Sequence, residues 1–368
     1  MRKQLALASI VFLLVLLGCE RKPTPTKGAL TYQLPSAFLA RNRMSNNNPT
    51  ITCEQYPAFT ERLEFPSRYE GSGPARDELN PLSSARYQSM TNQINQFTRR
   101  VTQLSDQLYR LEIGSSGAAC LLQQMHHWAT ENALLNVGNA TGVAVRKWNL
   151  AALASNYLKV RPILLLNSTE DDAMKIQAIE QWLLALAWQV HSDYSQRPPE
   201  KLNNHDYWAA WSVLLVATLH REEDLFLWSE SIFNRAISLI TVDGFLPSEL
   251  KRASRAAHYH NFALAPLIAT ASFLDANKRL TPEHRRKLLM LVNNVLSTVH
   301  NTVVFEQKTG VEQSPPEITT RGRLAWLAIW VALTNDSDAI KIAGEYSLTG
   351  TSRLGGDTFA MYPISSDR

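Results

Sequence analysis

The sequence predicts an all-α protein built from helix hairpins, and three observations support this. From about residue 118 onward, apolar residues recur at the three- and four-residue spacing of buried helix faces. The apolar-polar alternation that is typical of strands is nearly absent from the same region. Short polar connections separate the helical segments, which favours antiparallel neighbours packed in a single domain.

Two helices show their starts clearly. Ser168 and Thr169, with acidic residues three positions later, precede an apolar stripe from Ile176 to Val190. Thr281 and Pro282 open a second helix, because proline is favoured at the first helical position. Further helices are predicted near residues 120–137, 143–159, 205–220, 225–240, 261–276 and 321–335. No fixed-period repeat is present, so periodicity alone leaves open a bundle, a solenoid or a closed toroid.

The first 19 residues are typical of a lipoprotein signal peptide. Arg2 and Lys3 precede an apolar run that is too short to span a bilayer, and the run ends in Leu16-Leu17-Gly18-Cys19. This ending predicts lipidation at Cys19, and Glu20 after it favours the outer membrane of a Gram-negative cell. An ordinary cleaved signal in a soluble protein is the alternative. Residues 20–50 are interpreted as a flexible tether to a domain spanning 51–368.

Composition narrows the partners of the protein. A net charge of +4 over 368 residues, with no basic stripe interleaved with aromatic residues, argues against nucleic acid. The charge is compatible with an acidic ligand held in one local cleft.

Apart from Cys19, the cysteines are Cys53 and Cys120. In an oxidising periplasm such a pair is expected to be bridged, although two free buried cysteines are the alternative.

The most informative stretch runs from Asn203 to Trp211, Asn-Asn-His-Asp-Tyr-Trp-Ala-Ala-Trp. Asn203 or Asn204 is suited to cap a helix, which places His205 in the first turn, where free N–H groups and the helix dipole favour an anion. Trp208 follows His205 by three residues, so both side chains are expected on one face.

A second stretch, from Asp243 to Asn261, carries Arg252, Arg255, Tyr259 and His260 near the start of another helix. Its Gly-Phe-Leu-Pro-x-Glu-Leu-Lys-Arg and Tyr-His-Asn elements, with Asn-Asn-His and Tyr-Trp-Ala-Ala-Trp upstream, resemble the signatures of the alginate lyases of polysaccharide lyase family 5. The resemblance covers nearly all of the chain beyond the signal peptide, as far as the C-terminal Arg-Leu-Gly-Gly at residues 353–356.

The resemblance implies an incomplete α/α toroid with a deep cleft, acting as a monomer on an anionic polysaccharide. Alginate, preferably polymannuronate, would be cleaved by β-elimination without a metal or other cofactor. Arg252, Asn204 and His205 would neutralise the uronate carboxylate. Tyr259 would remove the C5 proton and protonate the leaving oxygen. We expect Arg252 and His205 to lower the pKa of Tyr259 and so favour its phenolate form.

Other substrate contacts are implied for four residues. A segment from Phe65 to Ser72 is similar to the family's lid, which predicts that Arg68 and Tyr69 bind the sugar chain. Lys147, between Arg146 and Trp148, matches a basic-aromatic element of the family. The alternative for that element is a solvated helix start with Trp148 in the core. Trp208 is expected to offer an aromatic face to a pyranose ring, unless it belongs to the core.

Three alternative functions remain open at this point. A lyase of the same fold could act on another polyuronate, such as polyglucuronate. A non-catalytic uronate-binding lipoprotein would need arginines and aromatics but not His205 and Tyr259. An inverting hydrolase would need two carboxylic acids flanking the bond, for which Glu249 and Asp206 are the candidates. The histidines 126, 127, 258 and 260 lack metal-ligand spacing, so no metal is expected.

Overall fold

A computed structural model describes residues 30–39, 43–47, 49–166, 168–320 and 322–364. The α-helices are α1 Pro81–Met90, α2 Asn92–Tyr109, α3 Ser115–Thr130, α4 Ala140–Leu165, α5 Glu170–Ser195, α6 Asn204–His220, α7 Glu223–Leu239, α8 Pro247–Leu250, α9 Ala256–Ala276, α10 Pro282–Ser297, α11 Val303–Thr309, α12 Trp326–Thr334, α13 Ser337–Glu345 and α14 Thr358–Met361. In these ranges the only β-pairing consists of two isolated bridges. No helix within them is long and apolar enough to cross a bilayer.

Helices α4, α6, α9 and α12 form an inner row. They carry apolar or small residues around most of their circumference, so nearly all of their side chains are buried. Within the row, α4 packs against α6, α6 against α9, and α9 against α12. The few polar side chains on these helices therefore lie inside the protein, where each needs a partner.

Helices α3, α5, α7, α10 and α13 form an outer row. Each has a buried apolar stripe and a solvent-facing polar side. In this row, α5 and α7 pack against α6, α10 packs against α9, and α13 packs against α12. Inner and outer helices thus alternate along the chain, as in an α/α toroid. The predicted all-α fold of helix hairpins is confirmed.

The predicted helix starts are also present. Thr169 and Asp172 form a reciprocal capping box at α5, and Thr281 caps α10, which has Pro282 in its first turn. Helices α1 and α2 were not predicted. Helix α2 nevertheless has a clear buried stripe, Ile94, Phe97, Val101, Leu104 and Leu108, embedded among many polar residues. The spacing of these apolar residues could have predicted the helix, but the many polar residues among them obscured the pattern.

Two of the contacts between the helices and the segment before them bear on the sequence predictions. Cys53 and Cys120 form a disulfide with a Cα–Cα distance of 5.5 Å, so the bridge expected from the sequence is present. Part of the predicted tether is not a free linker, because Phe38 is buried and stacks edge-on against Phe273. Cys19 and residues 20–29 of the tether lie outside the described residues.

Candidate active site

The start of α6 fixes two of the predicted site residues. The Asn203 side chain accepts a hydrogen bond from the His205 N–H at 2.9 Å, and the Asp206 carboxylate accepts one from the Asn203 N–H at 2.9 Å. This capping box sets the direction of the first helical turn. Asn204 is therefore directed into the protein interior, whereas His205 is half-buried at its edge.

Asn204 is held by a buried glutamate. Glu249, on the short helix α8, accepts hydrogen bonds from the Asn204 backbone at 2.7 Å and from its amide nitrogen at 3.0 and 3.1 Å. Burial raises the pKa of the Glu249 carboxyl to about 7, although these hydrogen bonds oppose the shift. Asn204 is fully buried, and its amide oxygen has no partner in the described chain. The expected direct contact of Asn204 with substrate is thus not the arrangement seen here.

Lys147 contacts His205 from the protein interior and does not lie in the open site. The Lys147 ammonium lies 2.8 Å from His205 Nδ1 and 2.9 Å from the Tyr194 hydroxyl. Lys147 has no exposed surface, because its side chain points into the interior of the protein, unlike that of the half-buried Trp148 next to it. The prediction that Lys147 contacts substrate is therefore wrong. Burial, followed by the positive charge of Lys147, lowers the pKa of His205 well below its ordinary value.

Arg252 and Tyr259 come together where the chain turns into α9. The Arg252 guanidinium carbon lies 4.5 Å from the centre of the Tyr259 ring, and that of Arg255 lies 5.6 Å from it. Arg252 also donates to the Ala75 carbonyl at 3.3 Å. It forms no ion pair with Glu249, which is occupied by Asn204. The guanidinium is thus available to an anion beside the phenol.

The ionisation of Tyr259 differs from the expectation. Burial raises its pKa, and interaction with the Tyr69 hydroxyl raises it further. Arg252 and Arg255 act in the opposite direction but do not outweigh burial. The prediction of a lowered pKa is therefore wrong. Tyr259 is a neutral phenol at neutral pH in this arrangement.

The predicted lid segment lies against the arginine-rich turn. The Tyr69 hydroxyl accepts a hydrogen bond from Arg255 at 2.6 Å, and Arg76 lies 5.8 Å from the Tyr69 ring centre. Asp77 accepts a hydrogen bond from the Ser254 hydroxyl at 3.0 Å. Tyr69 thus lies next to Tyr259, and its predicted contact with substrate stays a prediction. Arg68 lies farther along the loop, where it donates to Ser84 and faces the Tyr87 ring at 6.0 Å.

An aromatic group closes the other side of the site. Trp208 is only 2% exposed and packs on Phe262, so the expected pyranose platform is part of the core. Trp148 is the half-buried indole of the group. Arg353, which the sequence did not single out as a site residue, lies 4.9 Å from the Trp148 ring centre and 5.7 Å from that of Trp208. No local pattern predicts this approach, because Arg353 belongs to the distant C-terminal segment.

The charges of the site are unbalanced. Three half-buried arginines lie at the site, Arg252, Arg255 and Arg353, and a fourth, Arg68, lies farther along the lid loop. Within the described chain, none of the four forms an ion pair with a carboxylate. Buried cations elsewhere are paired, as Lys159 is with Asp106, and Arg279 with Glu230. Because desolvated charges need compensation, this arrangement suits an anionic ligand. Fold and site together define an α/α-toroid protein with an anion-binding centre.

Comparison with known proteins agrees with this class. A family model described as alginate lyase matches residues 64–305. An alginate lyase of Pseudomonas syringae pv. tomato is 36% identical over 360 residues, covering 95% of this chain and 91% of that protein. An alginate lyase of Cobetia marina is 33% identical over 353 residues, covering 93% and 92%. The chain belongs to the alginate lyase family.

Solved structures show the same fold. The alginate lyase A1-III of Sphingomonas species A1 superposes with a TM-score of 0.72 at 18% identity, covering 93% of this chain and 99% of that one. A histidine-to-alanine variant of A1-III complexed with a tetrasaccharide gives a TM-score of 0.77 at 19% identity, with the same coverage. The predicted α/α toroid is thus confirmed.

Proposed function

We propose that this member of the alginate lyase family cleaves polymannuronate by β-elimination. The observation that supports this most strongly is the set of arginines around Tyr259 and His205 that have no carboxylate partner among the described residues. A polyuronate carries one carboxylate on each sugar, so consecutive residues of the polymer would supply the missing charges. Family membership and the likeness to a tetrasaccharide-bound structure support the same substrate class.

β-Elimination requires that the uronate carboxylate is neutralised before the C5 proton next to it is removed. Removal of the C5 proton next to an ionised carboxylate places a second negative charge on the same group. Arg252 would supply positive charge and directed donors, and His205 would donate through its outward-facing ring nitrogen. A preorganised donor of this kind is commonly worth about 3 kcal/mol in the transition state.

Tyr259 is the proposed proton carrier. In mannuronate the C5 hydrogen and the C4 oxygen lie on the same face of the ring, so one group can serve both. The phenolate would take the C5 proton, electrons would form the C4–C5 double bond, and the resulting phenol would protonate the departing C4 oxygen. The atoms and electrons of this elimination balance without water and without an oxidant. The raised pKa makes the phenolate scarce at neutral pH but gives it a high proton affinity.

The alternative functions find less support. For a hydrolase, Glu249 and Asp206 would have to flank the scissile bond, yet both are fully buried, and Glu249 is bound to Asn204. A uronate-binding protein would not need a phenol and an imidazole beside the arginines. Another polyuronate, such as polyglucuronate, differs from polymannuronate in the configuration of its ring carbons and carries the same charge on each sugar. The arginines alone therefore do not distinguish between these two substrates.

Product analysis tests the proposal directly. Purified protein would be incubated separately with polymannuronate, polyguluronate and polyglucuronate while near-ultraviolet absorbance is followed. We expect absorbance from the conjugated 4,5-unsaturated uronate to rise fastest with polymannuronate. New reducing ends without absorbance would indicate a hydrolase, and binding without either product would indicate a non-catalytic protein. A faster rise with another polymer would reject the proposed preference.

We also propose that the protein acts as a monomer, anchored by lipid on Cys19 in the periplasm, on the outer membrane. The Leu-Leu-Gly-Cys ending and the following Glu20 support this location. Acyl labelling of the full-length protein and of a Cys19→Ser variant provides the test. Label on the wild type alone is expected, whereas unlabelled, fully soluble wild-type protein would reject the anchor.

A further inference from the structure

Lys147 is an unusual neighbour for a catalytic histidine. It is a fully buried lysine on α4 that forms no ion pair within the described residues. Its ammonium has two hydrogen-bond partners there, His205 Nδ1 at 2.8 Å and the Tyr194 hydroxyl at 2.9 Å. By contrast, Lys159, which is also buried on α4, is neutralised by Asp106. Lys147 is therefore held by an imidazole and a phenol, whereas Lys159 is held by a carboxylate.

The arrangement constrains the protonation of His205. A lysine ammonium carries only donors, so the nitrogen that faces it, Nδ1, must act as an acceptor. The proton of the neutral ring then resides on Nε2, because the hydrogen bond of one ring nitrogen sets the state of the other. Burial lowers the pKa of Lys147 well below its ordinary value, whereas the nearby carboxylates of Asp206 and Asp193 and two aromatic faces favour the ammonium form on which this hydrogen bond depends. The Lys147 nitrogen lies 4.5 Å from the Trp148 ring centre and 5.1 Å from that of Tyr194.

The electrostatic surroundings act in the same direction. Besides Lys147 on α4, the charges facing His205 are Arg197 from the turn after α5, Arg252 from the turn before α9, and Arg76 from the lid. All are cations, and together with burial they lower the pKa of the His205 imidazole. Asp206 is the nearby acid, but Arg197 lies 3.4 Å from it, and Asp206 also caps α6 through Asn203.

We propose that Lys147 is a positioning residue that keeps His205 neutral and protonated on Nε2, ready to donate to the uronate carboxylate. This inference rests on the proposed function for the role of the donor. It also excludes His205 as the base that removes the C5 proton, since the only lone pair of the ring is engaged by Lys147. The base role therefore stays with Tyr259.

The protonation state can be measured without substrate. Protein labelled with ¹⁵N-histidine would be examined by long-range proton–nitrogen correlation, and the spectrum of a His205→Gln variant would identify the His205 signals among the nine histidines. We expect a non-protonated Nδ1 and a protonated Nε2 whose shifts stay constant from about pH 6 to about pH 9. A proton on Nδ1, or an imidazolium at neutral pH, would overturn the inference even if the enzyme cleaves polymannuronate.

Substitution of Lys147 supplies the kinetic test. Lys147→Met keeps length and apolar volume but removes the donor and a positive charge, so the pKa of His205 should rise from its lowered value, while burial still disfavours the charged ring. At alkaline pH the neutral ring exchanges between its two tautomers, and kcat on polymannuronate should fall about tenfold or more, with KM changed less. In acid, where the imidazolium of the variant forms, Nε2 again carries a proton, and kcat should recover relative to the wild type.

Lys159→Met is the matched control. It removes a lysine of equal burial from the same helix, and it should reduce stability through its orphaned partner Asp106 without introducing the new ionisation of His205. A Lys147→Met variant with a wild-type pH profile and unchanged His205 signals would refute the positioning role. If that variant does not fold, the wild-type nitrogen spectrum decides the question alone.

Discussion

Glu249 should make the stability of this protein fall between mildly acidic and mildly alkaline pH. The residue is fully buried and accepts three hydrogen bonds from Asn204, yet no cation pairs with it in the described part of the chain. Its pKa is raised from an ordinary 4.5 to about 7 because burial penalises the charged carboxylate. The folded protein therefore holds a proton that the unfolded chain releases.

The sign and size of the effect follow from proton linkage. Between the unfolded and folded pKa values the native state binds more protons, so the free energy of unfolding decreases as pH rises. The contribution is fully present below about pH 4.5 and is lost as pH rises through about 7. From about pH 5 to about pH 8, the loss amounts to about 2.5 kcal/mol.

Comparison with Glu249→Gln isolates this contribution. Urea unfolding of wild type and variant at about pH 5 and about pH 8 cancels all other titrating groups, which both proteins share. We expect the difference in unfolding free energy to change by about 2.5 kcal/mol in favour of the variant as pH rises. As a control, Glu230→Gln breaks the ion pair with Arg279 and should destabilise at both pH values. A Glu249→Gln difference independent of pH would refute the reasoning.

Further predictions concern catalysis and folding. Arg252→Ala should lower turnover on polymannuronate by orders of magnitude with little change in melting temperature, because Arg252 has no ion pair to lose within the ranges that the structure describes; an unstable but active variant would contradict its role. Tyr259→Phe should fold and bind polymer but lose elimination. Wild-type kcat/KM should climb from neutral to alkaline pH, because the active phenolate has a raised pKa; a flat profile would reassign the base. Cys53→Ser should reduce the free energy of unfolding by about 4 kcal/mol in denaturant titrations, and wild-type protein insensitive to reductant would argue against the bridge.

The sequence was sufficient to predict those features of the fold and site that depend on residues close together in the chain. The capping of α6 by Asn203, the starts of α5 and α10, and the meeting of Arg252 with Tyr259 follow from short-range spacing. Tyr69 was located through resemblance alone, and the structure brings it to Arg255.

Burial was the property that local patterns could not provide. Helix α4 is buried around most of its circumference and carries buried polar residues among apolar ones, so a lysine beside a tryptophan gives no sign of whether it faces solvent or the interior. The same uncertainty affected Trp208, which is core, and Tyr259, whose pKa depends on how much water surrounds it. Arg353 reaches the site only through packing of the C-terminal segment against α4.

The uncompensated arginines have a consequence for the life of the protein before it meets substrate. Like charges held close together favour the unfolded chain, so the folded protein carries a repulsion among these arginines that a bound polyanion would reduce. Ligand that binds only the folded state stabilises it according to its concentration relative to Kd, by about 2.7 kcal/mol at a hundredfold excess over Kd. Polymer-rich surroundings would then prolong the lifetime of the folded enzyme, and exhaustion of the polymer would expose it to unfolding and proteolysis.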